Sequence, residues 1–375
     1  MAGVRRVFLT LTVRVLVNAE ALNMAESVGN LVRRKRLPVV VPSSEGEGFE
    51  VRMYPVVSGQ SLAHSYQAIL ADRAAARGLP VCPLCAQHVF VKHADDNVLK
   101  RLFSMGDAVA GELQRLVSSL RGVRGGKRLS VEDALRFAGD FEEKVVASCV
   151  VEDVGGFLYT GRVPVRRTSR IMFSYMIPSL QAPDAVGVES VVHTRSDPAA
   201  VEEGGQAIYN VEVGSALYTF SVLMDLSGIG VVERPDRGVR ILDDRLERVR
   251  AALEALAEMV SSMSFGAKRS RFLPHWVVES VAGAVVEGFR FQLPPGHSRG
   301  YIVEGARRLE KASRLLGGSY RMVYHVEELG GRVYADKPGS SGSIVEAGSV
   351  EEVFEKLLEW GLEAAQRAVG SSGSR

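Results

Sequence analysis

Guanidinium groups and glycines crowd one stretch of the chain, GGFLYTGRVPVRRTSR at 155–170, where Arg162, Arg166, Arg167 and Arg170 alternate with small or polar residues such as Ser169. Glycine lets a backbone approach a partner closely, and a guanidinium fork grips phosphate oxygens bidentately. The stretch therefore suits an extended loop presented to one anionic surface, and equally a solvated basic loop. A second segment, SGQSLAHSYQ at 58–67, offers Ser58 as a helix N-cap with Ser61 three residues on. The free amides and small side chains of Ser58, Gly59, Gln60 and Ser61 make such a helix start a ready phosphate site, with His64 one turn in. A plain capped helix with His64 packed on a neighbour also fits. FGAKRSRFLP at 265–274 places Lys268, Arg269 and Arg271 just after a long helix, as phosphate grips or as complements of the helix dipole. RRKR at 33–36 has the same two readings.

The segment CPLCAQHVFVKH carries Cys82, Cys85, His88 and His93, ligand types that suit zinc. Cys-x-x-Cys is the usual first half of such a site, but the second half is unusually close, so a small packed insertion stands beside the zinc reading and no metal is assigned. No Walker lysine loop, dinucleotide glycine fingerprint or HExxH helix is present, and no cofactor is expected.

These segments need elements to hold them. With 375 residues, 46% of them hydrophobic, the chain can bury one large core or two smaller ones. A formal charge of +2 is too mild to announce a nucleic-acid partner, so the argument rests on where the arginines sit. Three cysteines do not make a disulfide framework, which points to a reducing compartment. The opening VFLTLTVRVLV, interrupted by Thr10, Thr12 and Arg14, alternates as a strand does and reads as neither signal peptide nor membrane span. A cytoplasmic protein with no membrane partner is expected.

Residues 4–17 read as a strand, followed by a polar connection through NAEALNMAESVGN. A short strand then leads into a helix with Leu62, Tyr66, Ile69 and Leu70 on its apolar face. Residues 80–148 are less regular, with helical pieces and a glycine-rich break at RGVRGGKR. AIYNVEVGSALYTFSVLMDL is strongly β-like, with Gly214 as a bulge or hairpin kink. LDDRLERVRAALEALAEMVSSM is the clearest amphipathic helix, and VVESVAGAVVEG a closing strand. After a Pro-Pro-Gly break come a helix, a strand, an acidic helix and a frayed GSSGSR tail. The order β-α-ββ-α-β with insertions gives an α/β (α+β) fold, an RRM-like or ferredoxin-like palm with large inserted subdomains. The boundaries expected are 1–78 for the first half of the palm, 79–148 for an inserted helical subdomain, 149–288 for the second half, with a flexible loop near 193–205, and 289–375 for a C-terminal α/β extension.

In order along the chain, VNAEALNMAESVGN, YPVVSGQSLAHSYQ, DVGGFLYTGRVPVRRTSRIMFSYMIP, QAIYNVEVGSALYTF and GAKRSRFLP closely resemble the blocks of an archaeal subtype I-A CRISPR backbone protein, the Cas seven family of Csa two type. The resemblance covers most of residues 4–285; residues 94–148 and those after 290 match less clearly. It implies an RRM-like palm whose copies polymerise in a helical row along a CRISPR guide RNA, leaving the bases open to pair with target DNA. Further Cascade subunits, of the Cas five type and the small subunit, are implied as partners. Such a scaffold grips sugar and phosphate without reading sequence. The arginine loop would lie along the guide backbone, with the SGQS helix start on a neighbouring phosphate. Asn18 and His193 are also implied as RNA contacts, and Arg166, Lys268 and the helix start should converge on one groove. A metal-independent endoribonuclease using His64 or His193, and a zinc-stabilised adaptor, are the competing function classes.

Overall fold

A computed structural model of the chain describes residues 4–43, 46–121, 129–180, 186–196, 206–234, 236–339 and 342–370. In the first strand, Val7–Glu20, aliphatic residues alternate with Thr10, Thr12 and Arg14 because each face meets a different neighbour. Val7, Leu9, Leu11, Val13, Val15 and Val17 line the largest apolar core. Thr10, Thr12 and Arg14 face the other way and are buried too. The strip around Phe289–Ser298 covers them. The Leu293 amide donates to Thr10 Oγ1 at 3.0 Å, and Thr12 Oγ1 donates to the Pro294 carbonyl at 3.1 Å. Arg14 pairs with Glu279 at 2.8 Å and reaches the Gly296 carbonyl at 3.2 Å. Buried polar groups survive in a core only when bonded in this way.

The long strand Gln206–Asp225 runs antiparallel to the first, from Phe8 opposite Asp225 to Glu20 opposite Gly214. The closing strand His275–Glu287 flanks the other side, from Val7 opposite Glu287 to Asn18 opposite His275. Beyond the long strand, Ile171–Phe173 and Ile177–Pro178 pair antiparallel with it in two pieces. With the helices Gly59–Ala76 and Arg245–Ser261 in the crossovers, this is the expected ferredoxin-like palm. Its second strand is the broken pair IMF and IP. The segment expected to turn at Gly214 is one continuous strand of 20 residues.

Gly214 is required for another reason. A Cβ there would run into the guanidinium of Arg34, which crosses the strand to pair with Glu20 and donates to Tyr218 Oη at 2.7 Å. The bulge lies opposite, on the first strand, where Val17 faces Ala216 but Glu20 faces Gly214 and Ala19 takes φ +56°. This extra residue puts Glu20 on the same face as Val15 and Val17. NAEALNMAESVGN is likewise not a loose connection: it ends the first strand and forms a hairpin, Met24–Val28 with Leu31–Arg34.

Both palm helices pack on one face, tied by Arg73–Glu258 at 2.6 Å and Arg77–Glu254 at 2.5 Å. The helix Val350–Gly370 joins that layer through Leu357, Trp360 and Ala364. The opposite face carries the helix Tyr301–Leu316 over a second core around Phe291, Leu293 and Met322. Between the palm halves lie the helices Asp96–Ser104, Ala108–Arg121 and Val131–Ser148, whose first turns are bonded by the side chains of Asp95, Asp107 and Ser130. They enclose a third core with Phe157, Tyr159 and Val165. A separate ribbon, Arg36–Pro42 with Phe49–Pro55, leaves Val40, Phe49, Val51 and Met53 exposed. The glycine-rich break at 122–128, the tip 197–205 and the tail 371–375 lie outside the described residues. No helix among the described residues is long and apolar enough to cross a membrane.

Candidate nucleic-acid interface

The short hairpin Phe157–Tyr159 with Val165–Arg167 decides what the arginine loop can do. Strand alternation buries Phe157, Tyr159, Val165 and Arg167 and turns Leu158 and Arg166 outward. Arg167, expected to hold RNA, is instead an internal clamp. Its guanidinium pairs with Asp153 and, at 2.9 Å, with Glu142, and donates to the carbonyls of Asp153, Val231 and Gly228. Arg170 pairs with Asp225 at 3.2 Å, and burial, then repulsion from Arg167, hold it below its ordinary pKa. Ser169 bonds the backbone of Ile171. Arg162 is exposed but donates to the Leu120 carbonyl at 2.6 Å, closing a helix end. Arg166 alone of the four has no bonded partner among the described residues. It lines an open cleft of about 540 Å³ together with Arg6, Thr168 and Arg290 and the acids Glu142, Asp225 and Glu233.

A different set converges at the far end of the first strand. Asn18 is exposed opposite His275, and the loop before His275 carries Lys268, Arg269 and Arg271. The Ala267 amide donates to the Leu22 carbonyl at 2.7 Å, which docks this loop on the strand end. Lys268 is half-buried at φ +55°, and no bonded partner is described for its ammonium. Burial, then the nearby Arg271 charge, lower its pKa. Arg271 donates to Tyr209 Oη at 2.8 Å, while Arg269 reaches the Ser262 carbonyl at 3.5 Å. His193 lies in the strand Val186–Ser196 and not in the loop expected for it: its ring stacks on Tyr209 at 5.4 Å and meets the edge of Phe272 at 5.3 Å.

The helix start adjoins this patch. Ser58 is the N-cap, its Oγ accepting from the Ser61 amide at 3.2 Å, and its own amide donates to Asn23 Oδ1 at 2.7 Å. Since Asn23 follows Leu22, one short corner anchors both the Lys268 loop and the helix. Gly59 cannot carry a side chain, because a Cβ would sit 2.7 Å from the Phe173 carbonyl. The first turn holds no acidic residue, so the amide end of the helix dipole is not neutralised. Gln60 and His64 are exposed, and His64 meets Phe90 edge-on at 5.0 Å. Lys35, whose Nζ sits 5.6 Å over the Tyr175 ring, reaches the same place because its backbone bonds Asn23 and Val56. The RRKR run thus splits: Arg34 is consumed inside, Lys35 joins the helix start, and Arg33 and Arg36 are exposed.

Of the three groups expected in one groove, Arg166 and Lys268 stand far apart. Along the long strand, Arg170 bonds Asp225, Ser174 beside the helix start bonds Ser221, and the Lys268 loop sits near Gly214. From Asp225 to Gly214 is eleven residue steps, about 36 Å at roughly 3.3 Å each. By the same ruler Ser221 is about 13 Å from Asp225 and about 23 Å from Gly214, so the helix start, joined to the Lys268 loop through the Leu22–Asn23 corner, stands between that loop and the arginine hairpin.

The four residues Cys82, Cys85, His88 and His93, weighed as a zinc set against a small packed insertion, do not come together as one group. His88 is exposed and bonded to Asp72 at 2.9 Å. Cys82 and Cys85 instead meet Cys149 and Glu152, and His93 Nδ1 lies 2.7 Å from Glu152 Oε1.

Comparison with known proteins places this architecture. The profile of the family described as CRISPR-associated negative auto-regulator DevR/Csa2 matches residues 11–306. The CRISPR-associated aCascade subunit Cas7/Csa2 2 of Saccharolobus solfataricus is 39% identical over 324 residues, covering 85% of this chain and 92% of that protein. A second protein of that organism, CRISPR-associated protein Cas7/Csa2 1, is 31% identical over 306 residues, covering 80% and 86%. Among solved structures, a chain from a CRISPR RNA-guided surveillance complex, pre-nicking, superposes with a TM-score of 0.53 at 13% identity, covering 94% of this chain and 100% of that one, a likeness of fold. With a matching profile over most of its length and a relative at this identity, the chain belongs to the DevR/Csa2 family of CRISPR-associated Cas7 proteins.

Proposed function

We propose that this protein is a non-catalytic scaffold that grips a CRISPR guide RNA by its sugar–phosphate backbone inside an RNA-guided surveillance complex. Copies would stand in a row along the guide, beside other subunits of the complex, and leave the bases free for target DNA. The observation that carries this reading is the corner at Leu22–Asn23. It gathers unpaired cationic and amide groups, Lys268, Lys35 and the start of the Gly59–Ala76 helix, next to the aromatic set Tyr209, His193 and Phe272. Phosphate-gripping and stacking groups side by side suit a single-stranded nucleic acid held without sequence readout. The strip Phe289–Ser298 covers the face of the first strand that an RRM would offer to bases, which favours loops and edges as the contact surface. The names of the Saccharolobus relatives support the assembly. In this reading residues 1–78 and 149–288 supply the RNA-binding palm, with Asn18 and Arg166 as flanking contacts.

The endoribonuclease alternative needs an acid–base pair. The described partners of His64 and His193 are aromatic rings, and no carboxylate is bonded to either among the described residues. One experiment separates the readings: repeat RNA is incubated with the protein in excess chelator, and binding is followed at rising salt. A scaffold returns full-length RNA and loses affinity steeply whatever the sequence. Cleaved product, or affinity that depends on sequence, would overturn the assignment.

A further inference from the structure

We propose that Cys82, Cys85, Cys149 and Glu152 bind one zinc ion that staples the helical insertion to the palm. The four ligand atoms lie within 4.8 Å of one another, and all four residues are buried. Cys82 Sγ is 3.5 Å from Glu152 Oε1. That matches the edge of a tetrahedron with a Zn–S distance of about 2.3 Å and a Zn–O distance of about 2.0 Å.

The backbone explains why the ligands meet. Cys82 precedes the short helix Pro83–Ala86 and Cys85 lies within it, so their side chains rise on one side. Cys149 sits in an extended break, φ −150° and ψ 112°, between the helices Val131–Ser148 and Val150–Gly155, and Glu152 follows one turn on. Two pairs spaced i, i+3 therefore face each other. The Val150 amide clips them together by donating to the Pro80 carbonyl at 2.9 Å.

The surroundings suit a metal centre. His93 grips the Glu152 carboxylate twice, its ring Nδ1 2.7 Å from Oε1 and its amide donating to Oε2 at 3.1 Å, so that Oε1, held on one side by the imidazole, meets Cys82 Sγ on the other. Its Nε2 is buried with no hydrogen-bond partner, 4.0 Å from Asp107 Oδ2. Such outer bonds orient ligating carboxylates. Three thiolates and a carboxylate outweigh a dication. Lys92, whose Nζ is fixed on the Gly155 and Gly156 carbonyls 2.9 and 2.5 Å away, is the cation placed beside them. Three soft sulfur ligands select zinc over magnesium or calcium. With four protein ligands and no open face the site is structural and not catalytic. It stands whether or not the protein binds guide RNA.

The test is elemental analysis of the full-length protein purified without chelator or affinity metal, followed by exchange of the bound ion for cobalt. The expected result is about one zinc per chain. The cobalt form should show the intense visible bands of tetrahedral cobalt and thiolate charge transfer, the latter falling by about a third in Cys149→Ser. Glu152→Gln should shift the visible bands while sparing the charge transfer. A wild-type chain that holds no stoichiometric zinc after incubation with zinc alone, or that yields a disulfide among these cysteines by mass, would overturn the proposal. If Cys149→Ser fails to fold, the wild-type metal count and cobalt spectrum decide.

Discussion

Arg167 and Lys268 sit in equally basic stretches yet meet opposite fates. Around Arg167 the palm and the insertion supply Asp153, Glu142 and three carbonyls, and the guanidinium is used up inside the protein. Arg234 is treated the same way, shared among Asp140, Glu143 and Asp236. Around Lys268 no carboxylate is bonded among the described residues, and the adjoining helix opens without an acid in its first turn. A ligand competes only for charge that the fold has not already paired, so the balance of nearby acids matters more than the density of arginines.

The sharpest way to break this comparison is Arg167→Met. Removing one cation of a buried ion-pair cluster leaves Asp153 to Arg248 alone and Glu142 without its cation, which should cost about 3–5 kcal/mol and lower the denaturant midpoint, while RNA affinity of the folded fraction stays unchanged. A loss below about 1 kcal/mol would show that Arg167 is not an internal clamp. Ser58→Ala removes the cap of the first palm helix and should cost about 1 kcal/mol by the same measurement. Lys268→Ala with Arg271→Ala should change stability by no more than about 0.5 kcal/mol. It should nonetheless flatten the salt dependence of single-strand binding by roughly 0.7 for each phosphate no longer neutralised, for every RNA sequence alike. Arg166→Ala should have the smallest effect: stability stays unchanged and the salt slope falls by at most about 0.7, the share of a single phosphate.

Much of the palm is legible in the amino-acid order. The period-two run at Val7–Glu20, the amphipathic helix Arg245–Ser261 and the apolar His275–Glu287 all stand near the positions their patterns indicate. The second palm strand is not, because it is split into pieces of three and two residues whose shortness hides any alternation. Gly214 reads as a kink from local composition, whereas its cause is Arg34, 180 residues earlier. The site is legible only in part. The Ser58 cap follows from spacing, but the fate of Arg167 depends on acids 14 and 25 residues away. Lys35 and Tyr175 reach the helix start through backbone pairing that no motif announces. Similarly, His88 is near the cysteines in sequence and bonded elsewhere, while Cys149, 64 residues beyond Cys85, completes their group.

Cys82, Leu84, Cys85, Leu102 and Ala110 belong to the same apolar core as the sheet, so the residues between the palm halves are a wall of the building and not an annex. Excising them would strip the flank of the Gly59–Ala76 helix on which Phe90 meets His64 and His88 bonds Asp72. Evolutionary loss or gain of length is therefore tolerable only farther out, among the helices gathered on Leu113, Phe137 and Phe141, which keep a core of their own.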